Sequence, residues 1–320
     1  MDKANMERLS FSDVAREWLV IRKPELKTTS ISKYMTIVDS YLLPEFGEND
    51  VSDIMRRDVM HFSRTLLSCG GVQEQGLSPK SVNGILSVMK NILKYASSER
   101  GLKTPDLRDI SIKQPQKPMR ILSFDEQTKL SHYLCKNISP CNLGILICLY
   151  TGLRIGEICA LLWSDIHLDE GYIYVHRNMQ RVKILSSNEE QKKSEIRIDS
   201  PKSDCSIRKV PIPDELQRLL FSYMMEDEAF LLTGSSKKYI EPRCMENRFK
   251  AVMKECDISD VNFHALRHTF ATRCVELGFD IKSLSEILGH ASVNITLNRY
   301  VHPSMELKRE NMNKLSKLLA

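Results

Sequence analysis

No stretch of this 320-residue chain approaches the ~18 apolar residues that a membrane-spanning helix requires. The nearest, Leu143 to Leu149 with Gly144 inside it, is seven long. The N-terminus, MDKANMERLS, has no apolar core of a signal peptide, so secretion is not expected and a cytoplasmic location is. Nine cysteines form no C-x-x-C pair and are odd in number, which argues against a disulfide framework. Cys141, Cys148 and Cys159 lie among Leu and Ile, where thiols act as small hydrophobes. There is no G-x-x-x-x-G-K-[ST] loop to cradle a nucleotide, no H-E-x-x-H and no Asp/Glu cluster suited to magnesium, so no cofactor is expected. Internal repeats and low-complexity tracts are also missing.

What remains is a mildly basic globular composition, 46 Lys and Arg against 41 Asp and Glu, net +5. That balance permits a nucleic-acid partner without requiring one. Its distribution is uneven: up to residue 120 there are 19 basic and 15 acidic side chains, and beyond it 27 and 26.

The first part reads as helices. Ser10 caps a segment with Phe11, Val14, Ala15, Trp18 and Leu19 on one face, and Asp13 completes a capping-box pattern. Ile31, Tyr34, Met35, Val38, Tyr41 and Leu42 repeat at helical steps until Pro44, where Pro44 to Gly47 is expected to turn the chain. Val59, Phe62 and Leu66 predict a third helix after Asp58, ending near Gly70 and Gly71. Ser78 and Pro79 open a fourth, with Val82, Ile85, Leu86, Met89, Ile92 and Leu93 on its apolar face before Gly101.

Residues 113–120, KQPQKPMR, hold two prolines and little that could enter a core, and read as a linker. The expected organisation is a helical domain over 1–112, that linker, and a larger domain over 121–320 opened by a second capping box, Ser123 to Glu126. Within the second domain, alternation at Tyr172 to His176, at Ile196 to Ile198 and at Ile207 to Ile212 predicts a small antiparallel sheet of about three strands between Gly171 and Pro213. The fold class is therefore mainly α with a small antiparallel β-sheet.

Three groups of residues could carry chemistry. Arg154, following Thr151-Gly-Leu and followed by Glu157 three residues on, is a cation that a helix start could aim at an anion; taken alone it is as well explained by a local ion pair. His264 and Arg267 share one helical face. His264 and His268 also have the i,i+4 spacing of a zinc pair, but Ala-Leu-Arg between them puts a cation where a metal would sit. His290 after Leu288-Gly289, and Tyr300 ten residues later, would singly read as a helix-end residue and a packing aromatic.

Taken in order, Thr151–Glu157 (TGLRIGE), 201–212 (PKSDCSIRKVPI), 264–272 (HALRHTFAT), 288–290 (LGH) and Tyr300 resemble the boxes of the tyrosine recombinase, or phage integrase, family. The resemblance extends to the four-helix first part, which is similar to that family's core-binding domain. It implies a helical DNA-binding domain joined to a mixed α/β catalytic domain as a C-shaped clamp on double-stranded DNA. It further implies that Arg154 and Arg267 bind the scissile phosphate, that Tyr300 is the nucleophile, that His264 and His290 fill the two histidine positions, and that Glu157 orients the site. Lys202 is the expected hairpin lysine, with Lys209 and Lys193 as rivals.

The chemistry suits these residue types. Two guanidinium forks stabilise the charge on a five-coordinate phosphorus. A phenol of ordinary pKa near 10 needs help to lose its proton, and His264 is the base the resemblance suggests. A lysine ammonium protonates the departing 5′ oxygen. The implied reaction retains the bond energy in a 3′-phosphotyrosyl link and proceeds through a Holliday junction without metal or ATP. Lys80, Lys90, Lys94, Arg100 and Lys103, along and after the fourth helix, are expected at DNA phosphates, though such a charge run can also be a solvated face.

The C-terminal segment, with Met305, Leu307, Met312, Leu315, Leu318 and Leu319 among cations, is expected to dock on a neighbouring protomer in a homotetramer on DNA. With its first helix starting near residue 10, the chain is expected to lack an arm-binding N-terminal domain. The long hairpin region, 178–200, favours integration and excision of a mobile element, with an accessory directionality factor as a further partner; dimer resolution or DNA inversion is the alternative.

Overall fold

The computed structural model describes residues 8–71, 75–115, 119–183, 194–201, 204–301 and 305–314. The chain divides into two compact units, one of residues 1–117 with 182–195, the other of residues 118–181 with 196–320.

The first unit is helical. Helix α1 (Phe11–Arg22) starts where Ser10 Oγ accepts the Asp13 N–H at 3.1 Å, and it buries Phe11, Val14, Ala15 and Trp18. Helix α2 (Thr28–Ile37) runs into a π-helical turn, Val38–Leu42, and then α3 (Leu43–Phe46). Pro44 therefore does not stop the helix, as its sequence position suggested. It sits in the first turn of α3, where its missing N–H costs nothing, and the wider π turn before it absorbs the break in the hydrogen-bond ladder.

Helix α4 (Arg56–Cys69) begins three residues earlier than expected, because Asp58 is the third helical residue and its carboxylate accepts the Met55 N–H at 2.9 Å. Helix α5 (Pro79–Arg100) is capped by Ser78 and ends at Gly101. Its apolar face, Val82, Ile85, Leu86, Met89, Ile92 and Leu93 with Val88 and Ala96, forms the spine of the first core, against which Phe11, Leu42, Phe46 and Phe62 pack.

The second unit begins with α6 (Phe124–Lys136), where Ser123 and Glu126 bond reciprocally to each other's backbone. Helix α7 (Pro140–Thr151) is buried along its whole Leu143 to Leu149 run, a helix apolar all round because α6, α10, α11 and α8 surround it. Helix α8 is short (Ile155–Ala160). Next come β1 (Ile166–His167), β2 (Tyr172–Val175), β3 (Asn178–Lys183), β4 (Ser194–Asp199) and β5 (Arg208–Pro211). Helices α9 (Asp214–Phe221), α10 (Pro242–Glu255), α11 (His264–Glu276), α12 (Ile281–Leu288), α13 (Val293–Tyr300) and α14 (Met305–Lys314) follow.

The sheet is not one but two. Strands β1, β2 and β5 form an antiparallel three-stranded sheet with Ile173 opposite Val210, and β3 pairs with β4 separately. Two strands escaped the period-two reading for plain reasons. β1 is two residues long, and β3 buries Met179 and Val182, three residues apart and out of phase with strict alternation. The architecture is mainly α with small antiparallel sheets. Among the described residues, no helix is long and apolar enough to cross a membrane.

Candidate active site

Arg154 is placed by the end of one helix and the start of the next. Helix α7 closes on Gly152 at φ 68°, and two residues later Arg154 is the N-cap of α8. A side chain at Gly152 would be strained at that φ, and its Cβ would lie 2.6 Å from Phe270 Cδ1. The Arg154 guanidinium donates to Glu157 Oε1 at 2.7 Å and to the Gly289 carbonyl at 3.2 Å. The other Glu157 oxygen accepts the Arg154 backbone N–H at 2.9 Å.

Glu157 is buried and carries a second arginine. Arg208, itself buried on β5, binds both carboxylate oxygens at 3.0 Å, a forked pair. Burial alone would raise the Glu157 pKa, but Arg208 by charge and hydrogen bond, and then Arg154, hold it down to about 2.

Arg267 occupies the first turn of α11, 2% exposed, and donates to the carbonyls of Gly152 at 2.8 Å and Leu288 at 2.6 Å. Desolvation, and next the charge of Arg154, lower its pKa to about 9. Arg208 also donates to the Ile287 carbonyl at 2.6 Å. Three successive carbonyls at the C-terminal end of α12, those of Ile287, Leu288 and Gly289, thus receive Arg208, Arg267 and Arg154. That end of a helix carries partial negative charge, so it is a favourable place to gather cations. Gly289 makes the turn at φ 63°, and a Cβ there would press on Arg208 Cδ and the Cys205 carbonyl, both at 3.1 Å. This is what the glycine of Leu288-Gly289-His290 is for.

His290 follows directly. Its Nδ1 lies 2.8 Å from Thr296 Oγ1, and its ring runs parallel to that of Tyr300, 3° apart in plane and 6.4 Å between centroids. Tyr300 is the last residue of α13 and only 5% exposed, and burial raises its pKa against the pull of Arg267 and Arg299. Its hydroxyl bonds not to His264 but to His268: Nδ1 to Oη is 2.9 Å. His264, one turn earlier on α11, meets His268 edge to face at 4.5 Å between centroids. Desolvation comes first, then neighbouring cations or His264, in lowering all three histidines to about 4. Among the described residues, no group of three or more His, Cys, Asp or Glu is placed to hold a metal ion.

The structure brings Arg154, Glu157, His264, Arg267, His290 and Tyr300 together. Lys202 and its rival Lys193 lie outside the described residues. Lys209 is exposed, with its ammonium 4.2 Å from the centre of the Tyr172 ring. It stands on the face of β5 opposite Arg208, the residue that enters the site, because neighbouring strand residues point apart. Of the five cations expected at DNA, Lys80, Lys94 and Lys103 are exposed. Lys90 Nζ donates to the Ile110 carbonyl at 2.7 Å, and Arg100 pairs with Glu17. These two are held by the protein itself, through partners 20 and 83 residues away that no local pattern signals.

Two site residues were missed in the sequence. Arg208 had a visible signal, for it alternates in phase with the buried Val210 and Ile212, and a charge on the core side of a strand needs a buried partner. His268 had its spacing from His264, which pointed to metal rather than to a tyrosine 32 residues on.

Known proteins resemble this chain in sequence and in fold. Residues 120–306 match the phage integrase family, and residues 10–67 match the N-terminal SAM-like domain of phage integrases. The chain is 27% identical to a tyrosine recombinase XerC-like protein of Caldanaerobacter subterraneus, over 77% of this chain and 68% of that protein. It is 25% identical to the ICEBs1 integrase of Bacillus subtilis, over 97% of this chain and 84% of that one. In fold it is similar to the Tn1549 transposon integrase in complex with a circular intermediate DNA, at TM-score 0.78 and 20% identity, covering 96% of this chain and 99% of that one. A lambda integrase tetramer bound to a Holliday junction gives TM-score 0.67 at 17% identity, covering 93% of this chain and 81% of that one. With a family match that spans more than half its length, and a buried tyrosine set among arginines and histidines, the chain belongs to the phage integrase family of tyrosine-type, site-specific DNA recombinases.

Proposed function

We propose that this recombinase integrates and excises a mobile element, cutting each strand of a duplex core site with Tyr300. The observation that carries the reading is the convergence of Arg154 and Arg267 on the end of α12, beside Tyr300 and His290. A phosphodiester entering there would meet two guanidiniums already fixed by carbonyls, so the charge that develops on its non-bridging oxygens meets donors that need no reorganisation. Tyr300 attacks phosphorus, the 3′-phosphotyrosyl bond forms, and the 5′ oxygen departs with a proton from a lysine, for which Lys202 is the residue of choice. His264 and His290 contact the phosphate oxygens. Glu157 keeps Arg154 in place. Attack by a 5′ hydroxyl of the partner duplex then reseals the strand.

Lys80, Lys94 and Lys103 contact DNA phosphates, and the segment from residue 304 onward, including α14 with exposed Met305 and Met312, docks on a neighbouring protomer of a tetramer. Similarity to the ICEBs1 integrase and, in fold, to the Tn1549 transposon integrase supports the mobile-element reading. Similarity to a XerC-like recombinase supports a second, resolution of DNA dimers by the same chemistry.

The test is covalent capture. Duplexes selected from a nicked random library by the intact chain should carry a phosphotyrosyl adduct that Tyr300→Phe does not form. Absence of any adduct with the intact chain would falsify the reading. Excised circles, rather than resolved dimers, on a plasmid bearing two selected sites in direct repeat beside the coding region would favour the mobile element. Unaltered strand exchange after deletion of residues 304–320 would overturn the tail's role.

A further inference from the structure

We propose that His268, rather than His264, takes the phenolic proton of Tyr300 during strand cleavage and returns it during religation. This rests on the reading of Tyr300 as the nucleophile.

Two histidine rings lie against that of Tyr300, and among the described residues His268 is the histidine bonded to its oxygen. His268 Nδ1 lies 2.9 Å from Tyr300 Oη, within the reach a general base requires. His290 presents its ring face to the tyrosine ring and commits Nδ1 to Thr296. His264 is engaged with the ring of His268. Tyr300 is 5% exposed, so bulk water does not serve as the acceptor.

The groups that face His268 make its basicity depend on the substrate. From its own helix come His264 and Arg267, and from α13 come Arg299 and Tyr300. In the free protein, desolvation first, then His264, Arg299 and Arg267, lower its pKa to about 4. The imidazole is then neutral at pH 7, and in the tautomer protonated on Nε2 its Nδ1 lone pair accepts the phenol's hydrogen bond. As a base it is weak. A scissile phosphate bound by Arg267 brings negative charge against the cations that depress it, and basicity rises with DNA in place. Proton acceptance is coupled to substrate charge.

The step balances. The Tyr300 O–H bond breaks and its proton joins the Nδ1 lone pair while the phenolic oxygen bonds phosphorus. The bond from phosphorus to O5′ breaks and that oxygen takes a proton from the lysine. On religation the imidazolium returns its proton to the leaving phenolate.

The experiment compares single-turnover cleavage by the full chain and by His268→Gln on a nicked duplex selected for covalent capture. Glutamine can still accept the phenol's hydrogen bond but cannot hold its proton. The expected loss is ~10²–10⁴ in adduct formation, with DNA affinity retained. On the same duplex with a 5′-bridging phosphorothiolate, whose thiolate leaves without an acid, the His268→Gln defect persists while a Lys202→Ala defect is relieved. The His268→Gln rate also climbs steadily above neutral pH, as preformed phenolate takes over.

Wild-type rates in His268→Gln, or relief by the phosphorothiolate, overturn the assignment while leaving the nucleophile intact. No capture by the full chain overturns the reading beneath it. Should His268→Gln not fold, the full chain decides: cleavage should slow and religation quicken as pH falls through the histidine range, and two pH-independent rates would overturn the proposal.

Discussion

Arginines in the two units are stabilised in opposite ways. In the first, Arg100 meets Glu17, which also accepts the Tyr95 hydroxyl at 2.6 Å, and Arg108 meets Asp106, both pairs reached by water. In the second, Arg154 and Arg208 share Glu157, and these two and the buried Arg267 each donate to a carbonyl at the end of α12. Water would screen any new partner of the first set, so those pairs contribute little and can be exchanged for DNA phosphates. In the second set Arg208 and Arg267 are shut away from water. Removing Glu157 there would strand the buried Arg208.

The sharpest test of that contrast is Glu157→Gln. It leaves Arg208 buried without its counter-charge and should lower stability by ~3–5 kcal/mol, read by urea denaturation. A loss under about 1 kcal/mol would show that the buried cluster is no different from a surface pair. Next is Arg267→Lys, which keeps charge but not the fork. It should slow covalent adduct formation by ~10²–10³ with little change in DNA affinity, in a quench-flow comparison with the intact chain.

The pH dependence of stability should separate two windows. The Glu157 carboxyl lies near 4.5 when unfolded and about 2 when folded, so its contribution, about 3 kcal/mol, is complete above pH 4.5 and is lost as pH falls through 2. His268 and His290, with unfolded values near 6.5 and folded values about 4, oppose protonation in the native state, so stability also falls as pH drops from 6.5 to 4. Thermal melts of Glu157→Gln should flatten the lower window alone.

The smallest effects belong to the first unit. Glu17→Ala should cost ~0.2–1 kcal/mol of stability. Lys94→Ala should reduce the slope of log affinity against log salt by ~0.9, and an unchanged slope would remove Lys94 from the DNA interface.

Features closed within one helical turn were legible in the sequence. Ser10, Ser78 and Ser123 accept backbone N–H groups three residues on, and the apolar stripe of α5 declares its own face. The site boxes were legible because their order, not any one residue, is distinctive. What stayed hidden depends on distant partners. Arg208 reaches Glu157 across 51 residues, and Lys90 is taken up by a carbonyl beyond the end of its own helix. Pro44 misled because its effect depends on whether the preceding turn is α or π, which propensity does not encode.

One turn of α12 has a further consequence. Because the carbonyls of Ile287, Leu288 and Gly289 seat three guanidiniums at once, fraying of that turn would unseat all three together. Amide exchange at Leu288 and Gly289 would report how often that turn opens. Asp280 caps the other end of the same helix by accepting the Ser283 N–H at 2.7 Å, so the element that seats three guanidiniums is secured at both ends.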